Sequence, residues 1–217
     1  MSHNVAVILS GSGVYDGSEI HEAVMLLLAL HKAGVAVECF APNVEQMHVI
    51  NHLTGDVMGE TRNVLVEAAR ITRGKVTDLA SYNPANFDAL LMPGGFGAAK
   101  NLSSFAVDGA DCKVNDDVAS AIVATKEAGK VIGAMCIAPV ILAKLIPGVC
   151  ITLGDEGDAA SAAVVMGATH QVSSHDIVVD RKNRVVTTPA YMLEANIGEI
   201  ESDATALVGA VLEMCAR

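Results

Sequence analysis

The chain has 217 residues; 52% are hydrophobic but only 3% aromatic, and there is no Trp. A formal net charge of −11, with no run of Lys or Arg to track phosphates, argues against nucleic acid as a partner. The longest apolar stretch, residues 23–30, is far below the roughly 18 residues of a membrane span, so no membrane association is expected.

These bounds fit one α/β domain over residues 1–217, its core built from Ala, Val, Ile, Leu and Met. Five cysteines, an odd number without repeated spacing, argue against a disulfide framework and for a reducing compartment. The opening "MSHNVAVILSG" lacks the basic segment of a secretory signal, so the expected location is the cytoplasm.

In chain order, apolar runs at residues 5–9, 35–40, 89–92 and 131–135 read as strands. Helical patterns occupy residues 19–33, 63–72 and 114–128, with Gly34 and Gly129 just past the first and last of these. A further helical pattern opens with Pro139. Strand then helix, repeated, predicts a parallel sheet with helices on both faces. Later, "HDIVVDRKNRVVTTPAY" reads as two short β segments around the turn at residues 180–183, and residues 197–214 form a closing helix. Residues 10–18 and 97–113 read as long loops, which in compact domains are often functional.

In open parallel sheets, ligands bind beyond the carboxyl ends of the strands. Three strands end in suggestive chemistry: "SGSGVYDGSEIHE", "MPGGFGAAKNL" and "GAMCIAP". In the last, Cys136 stands on a sharp strand-to-helix turn flanked by the small residues Gly133, Ala134 and Ala138. There a helix N-terminus favours thiolate. The bland alternative is a packed core thiol, which is also the default for Cys39, Cys150 and Cys215; Cys112, in a polar loop, is expected to be exposed. Gly94 and Gly95 let backbone amides face inward, as an oxyanion hole requires. Ser18 is a candidate N-cap for the first helix, and Glu22 continues the inward face of Leu26 and Ala29, which would raise its pKa. No CxxC pair, HExxH or phosphate loop is present, so neither metal nor cofactor is expected.

Together the Glu22 helix, "MPGGFGAAKNL" and "GAMCIAP", followed by "RVVTTPAYML", resemble the DJ-one/PfpI superfamily along the whole chain. Within it, the chain is similar to the branch called enhancing lycopene biosynthesis protein, or isoprenoid biosynthesis protein with amidotransferase-like domain, related to ES-one proteins. The resemblance implies a flavodoxin-like three-layer sandwich of the class I glutamine amidotransferase-like type. It places the nucleophile on Cys136, the partner carboxyl on Glu22, and the oxyanion-binding amides on Gly95 and Ile137. Protease-like members carry a His directly after the cysteine, where this chain has Ile137, and others carry one further on, where it reads "TLGDEGDAAS"; His170 and His175 could be supplied only through folding. The resemblance therefore implies glyoxalase-type conversion of small carbonyl substrates, glyoxal and related 2-oxoaldehydes, by a homodimer. The alternatives are a redox-sensing regulator or a deglycase, then an amidase or peptidase.

Overall fold

The computed structural model describes residues 3–216. Its elements in chain order are β1 (Asn4–Ile8), α1 (Ile20–Lys32), β2 (Ala36–Ala41), α2 (Val64–Thr72), β3 (Thr77–Asp78) and β4 (Ala89–Met92). Then follow α3 (Phe96–Lys100), α4 (Phe105–Asp108), α5 (Asp116–Glu127), β5 (Val131–Met135), α6 (Pro139–Leu145) and β6 (Cys150–Ile151). The chain closes with α7 (Asp158–Val165), β7 (Thr169–His170), β8 (Val178–Asp180), β9 (Val185–Thr188) and α8 (Ile197–Cys215). Seven strands form one sheet in the order β3, β2, β1, β4, β5, β9, β8, and β6 pairs with β7 separately. Every pairing in the large sheet is parallel except β8 on β9.

The central strands are apolar on both faces because both faces are covered. Val5, Val7, Leu91 and Val131 pack toward α1, α2 and α8, against Leu26, Leu30, Leu207 and Val211. Their alternates Ala6, Ile8, Leu90 and Ile132 pack toward α5 and α6, against Val118, Ile122, Val140 and Ile141. Polar residues then set the helix starts. Asn63 and Asn115 cap α2 and α5, and Asn196 with Glu199 forms a capping box on α8.

Topology places the crevice. From β1 the chain moves to β2 on one side, then later crosses back to β4 on the other. Between β1 and β4 the direction of winding reverses, so the helices leave the sheet apart and open a gap at the carboxyl ends.

Several expectations need correction. Ser18 is not the cap of α1: its Oγ accepts the Ser10 N–H at 2.9 Å, and Glu19 caps the helix instead. Residues 97–113 are not one loop but hold α3 and α4. Cys112 is only 2% exposed, its sulfur 4.0 Å from Met166 Sδ, because the end of α7 covers it while its polar neighbours point away. The two-residue strands β3, β6 and β7 are too short to show any period.

Gly133 on β5 leaves room for Leu91 of the neighbouring strand under α8. A Cβ there would overlap Leu91 Cδ2 and lie 3.2 Å from Val211 Cγ2. Both neighbours are fully buried, with nowhere to move. Gly133→Ala is therefore expected to destabilise the protein by about 1–3 kcal/mol in urea unfolding. An unchanged midpoint would contradict this packing.

Candidate active site

β5 ends at Met135, and the next residue turns sharply. Cys136 has φ 58°, a left-handed conformation rarely adopted by a residue with a side chain. It is held there by its N–H, which donates to Thr188 O at 3.0 Å, and by α6, which starts three residues on with Pro139. The residue is nearly covered, at 7% exposure.

Opposite it, β4 runs into Pro93 and Gly94. A Cβ on Gly94 would overlap Cys136 Cβ, and would come within 2.8 Å of Glu22 Oε2 and 2.9 Å of Cys136 Sγ. Only glycine lets β4, β5 and α1 converge here. The carboxyl and the thiol press on the same point.

Glu22 is completely buried on the first turn of α1. Gly94 N–H donates to its Oε2 at 2.9 Å, and Tyr191 N–H to its Oε1 at 3.3 Å. Glu19, one helical turn earlier, accepts the Glu22 N–H at 2.7 Å and donates its own N–H to Gly94 O at 3.0 Å. Burial, reinforced by the Glu19 charge, pushes the Glu22 carboxyl up to about 8. Burial and then the Glu22 charge push the Cys136 thiol well above its ordinary range, while the Gly95 and Ile137 amides aimed at the sulfur pull it back in part. The expected resting thiolate is thus corrected. The helix that would favour it has only seven residues, and burial works against the charge.

The four residues singled out from sequence come together here. Of the amides expected to face an oxyanion, Gly95 and Ile137 do border the sulfur, whereas Gly94 is spent on Glu22. A cavity of about 260 Å³ opens above Cys136, walled by Val14, Phe96, Tyr191 and Met192 and edged by Glu19. A larger hollow of about 540 Å³ lies beside β2 and the end of α1. None of these groups lines it, so the chemistry belongs to the smaller cavity.

Sequence reasoning missed the walls. Val14 is brought over the site by the loop of residues 10–18, which Asn101 ties down: its Nδ2 donates to Ser10 O and Asp16 O at 2.9 and 2.8 Å. Phe96 N–H then donates to Val14 O at 2.7 Å. Phe96, Tyr191 and Met192 each follow a strand's carboxyl end, and that position is the signal that could have found them.

Neither candidate histidine lines the cavity. His170 Nε2 accepts the Leu153 N–H at 3.1 Å, and His175 Nδ1 pairs with Asp203 Oδ2 at 3.0 Å. His21, beside Glu22 in sequence, meets the Tyr191 hydroxyl at 2.8 Å instead. Among the described residues, no group of three or more His, Cys, Asp or Glu is placed to hold a metal ion.

No protein-family model matches the chain. It is 51% identical to the human protein named glutamine amidotransferase-like class 1 domain-containing protein 3, mitochondrial, over 98% of this chain and 84% of that one. A rat ES1 protein homolog, mitochondrial, is 50% identical with the same coverage. The crystal structure of an isoprenoid biosynthesis protein with amidotransferase-like domain, from Ehrlichia chaffeensis, matches with TM-score 0.90 and 36% identity, covering 97% of this chain and 99% of that one. Glyoxalase III from Candida albicans shares the fold alone, with TM-score 0.61 and 15% identity over 97% of this chain and 98% of that one. The fold is thus the expected flavodoxin-like, class I amidotransferase-like sandwich. The expected cytoplasmic location is overturned by the curated relatives, whose names place them in mitochondria. The thiols argued for a reducing environment, and that does not say which reducing compartment. Identity of 51% across 98% of its length settles kinship: the chain belongs to the family of ES1 and glutamine amidotransferase-like class 1 domain-containing 3 proteins.

Proposed function

We propose that the protein is a cofactor-independent glyoxalase-type enzyme, converting glyoxal and related 2-oxoaldehydes to 2-hydroxy acids. The observation that carries this reading is the buried Cys136–Glu22 pair, with the Gly95 and Ile137 amides bordering the sulfur. Cys136 sulfur bonds to the aldehyde carbon, and the thiol proton passes through Glu22 to the carbonyl oxygen. The two amides hold that oxygen while its charge develops. Glu22 then removes the hydrogen on the same carbon as a proton and returns it to the neighbouring carbon, while the hydroxyl proton on the first carbon moves to the oxygen of the second. The result is a thioester of the 2-hydroxy acid. Water cleaves it, giving its hydroxyl to the acyl carbon and a proton to sulfur. One water is added overall, with no net oxidation or reduction.

Amide hydrolysis fits less well, because no histidine lines the cavity to complete a Cys–His–acid triad with Cys136. A redox-sensor role would use the same thiol at most once per molecule, so formation of many products per thiol separates the two readings.

Proton NMR of glyoxal incubated with the protein should show glycolate. Cys136→Ala should abolish it, and Glu22→Gln should lower kcat by about 10²-fold or more. Glutamine hydrolysis by a protein inert to glyoxal would overturn the proposal.

The active form has lost one of the two protons held by the pair, whichever atom keeps the other. With Glu22 near 8, kcat/KM should rise with pH up to about 8 and then level off. A flat profile from pH 6 to 9 would exclude Glu22 as the group that accepts the proton.

The same proton affects stability. The folded protein holds it to about pH 8, whereas an unfolded chain releases it near 4.5, so between these values the folded state binds more protons. Stability should fall as pH rises through that window, and Glu22→Gln should remove this part of the slope. Identical slopes in urea unfolding at pH 5 to 8 would contradict the burial of a titrating Glu22.

A further inference from the structure

We infer that this site selects uncharged 2-oxoaldehydes bearing an apolar, aryl-type substituent, with Phe96 and Met192 setting the choice. The inference rests on the glyoxalase reading and names its substrate class. The reacting groups occupy only the floor of the cavity: Cys136 with the Gly95 and Ile137 amides. A cavity of about 260 Å³ leaves room beyond a two-carbon dialdehyde, and that remainder is walled by Val14, Phe96 and Met192. Such an arrangement, a few polar groups at one end of an apolar chamber, is how small-molecule sites combine orientation with selection.

Phe96 is the informative wall. The residue is 49% exposed, yet it is held in place. Its N–H donates to Val14 O at 2.7 Å, and the Lys100 ammonium lies 5.3 Å from the ring centre. A fixed, half-exposed aromatic face beside a nucleophile is a surface for a substrate ring to cover.

Charge points the same way. Glu19 and Glu22 are the acids at this site, and no Lys, Arg or His lines the cavity. Lys100, the nearest cation to Phe96, donates to Tyr15 O at 2.8 Å and is not part of the lining. An anionic substituent would lose its hydration against apolar walls and face Glu19 without a counter-charge. A neutral ring loses nothing comparable.

The test compares kcat/KM for glyoxal, phenylglyoxal and para-carboxyphenylglyoxal in wild type, Phe96→Ala and Met192→Ala, with products followed by NMR. Wild type should prefer phenylglyoxal over its carboxylated analogue by about tenfold or more. The phenylglyoxal-to-glyoxal ratio should fall about tenfold in each variant; comparing ratios cancels the intrinsic reactivities of the aldehydes. Equal rates for the two aryl substrates, or ratios unchanged in both variants while glyoxal is still converted, would overturn the inference and leave the glyoxalase reading standing. Wild type that converts none of the three would refute that reading, and the inference with it.

Discussion

Everything at this site depends on the missing side chain of Gly94. Three elements from distant parts of the chain meet there: the end of β4, the turn carrying Cys136, and the first turn of α1 carrying Glu22. A single methyl group would overlap Cys136 Cβ and crowd both the carboxyl and the sulfur. With no methyl group there, the Gly94 N–H is free to reach Glu22 Oε2, which anchors the carboxyl beside the thiol. The parallel sheet supplies the convergence, since β1, β4 and β5 end at the same edge, and the winding reverses between β1 and β4.

That closeness creates the electrostatics. Two acids that would ionise independently in water are buried together, and burial makes both charges costly; the Glu22 charge raises the thiol further, whereas the Cys136 hydrogen bond eases ionisation of the carboxyl. Backbone amides offset part of the penalty: Gly94 and Tyr191 on the carboxyl, Gly95 and Ile137 at the sulfur. The balance leaves Glu22 able to take up or give back a proton near neutrality, which proton transfer between adjacent carbons requires. The strained φ of Cys136 belongs to the same design, because it turns the sulfur toward the carboxyl and the cavity.

Much of this was legible in the sequence, for identifiable reasons. β4 and β5 lie where their uninterrupted apolar runs placed them, and Glu22 faces inward as its spacing from Leu26 implied. What escaped was whatever depends on contacts far apart in the chain. Ser18 looked like a cap, but its oxygen was needed by Ser10. Cys112 looked exposed because its neighbours are polar, but α7 folds over it. The helix dipole suggested an ionised thiol, and only the three-dimensional neighbourhood shows a buried carboxyl against it. The walls Phe96, Tyr191 and Met192 had no local signature beyond following the end of a strand.

The central claim is that a buried Glu22 carries a proton at neutral pH and loses it near 8. The most direct measurement is the carboxyl carbon shift of Glu22 in protein labelled with carbon-13 glutamate, assigned by comparison with Glu22→Gln and followed from pH 4 to 10. A midpoint close to 8 is the predicted result. A midpoint near the ordinary 4.5 would show a carboxyl already ionised and unable to hold a proton at neutral pH, contradicting the account.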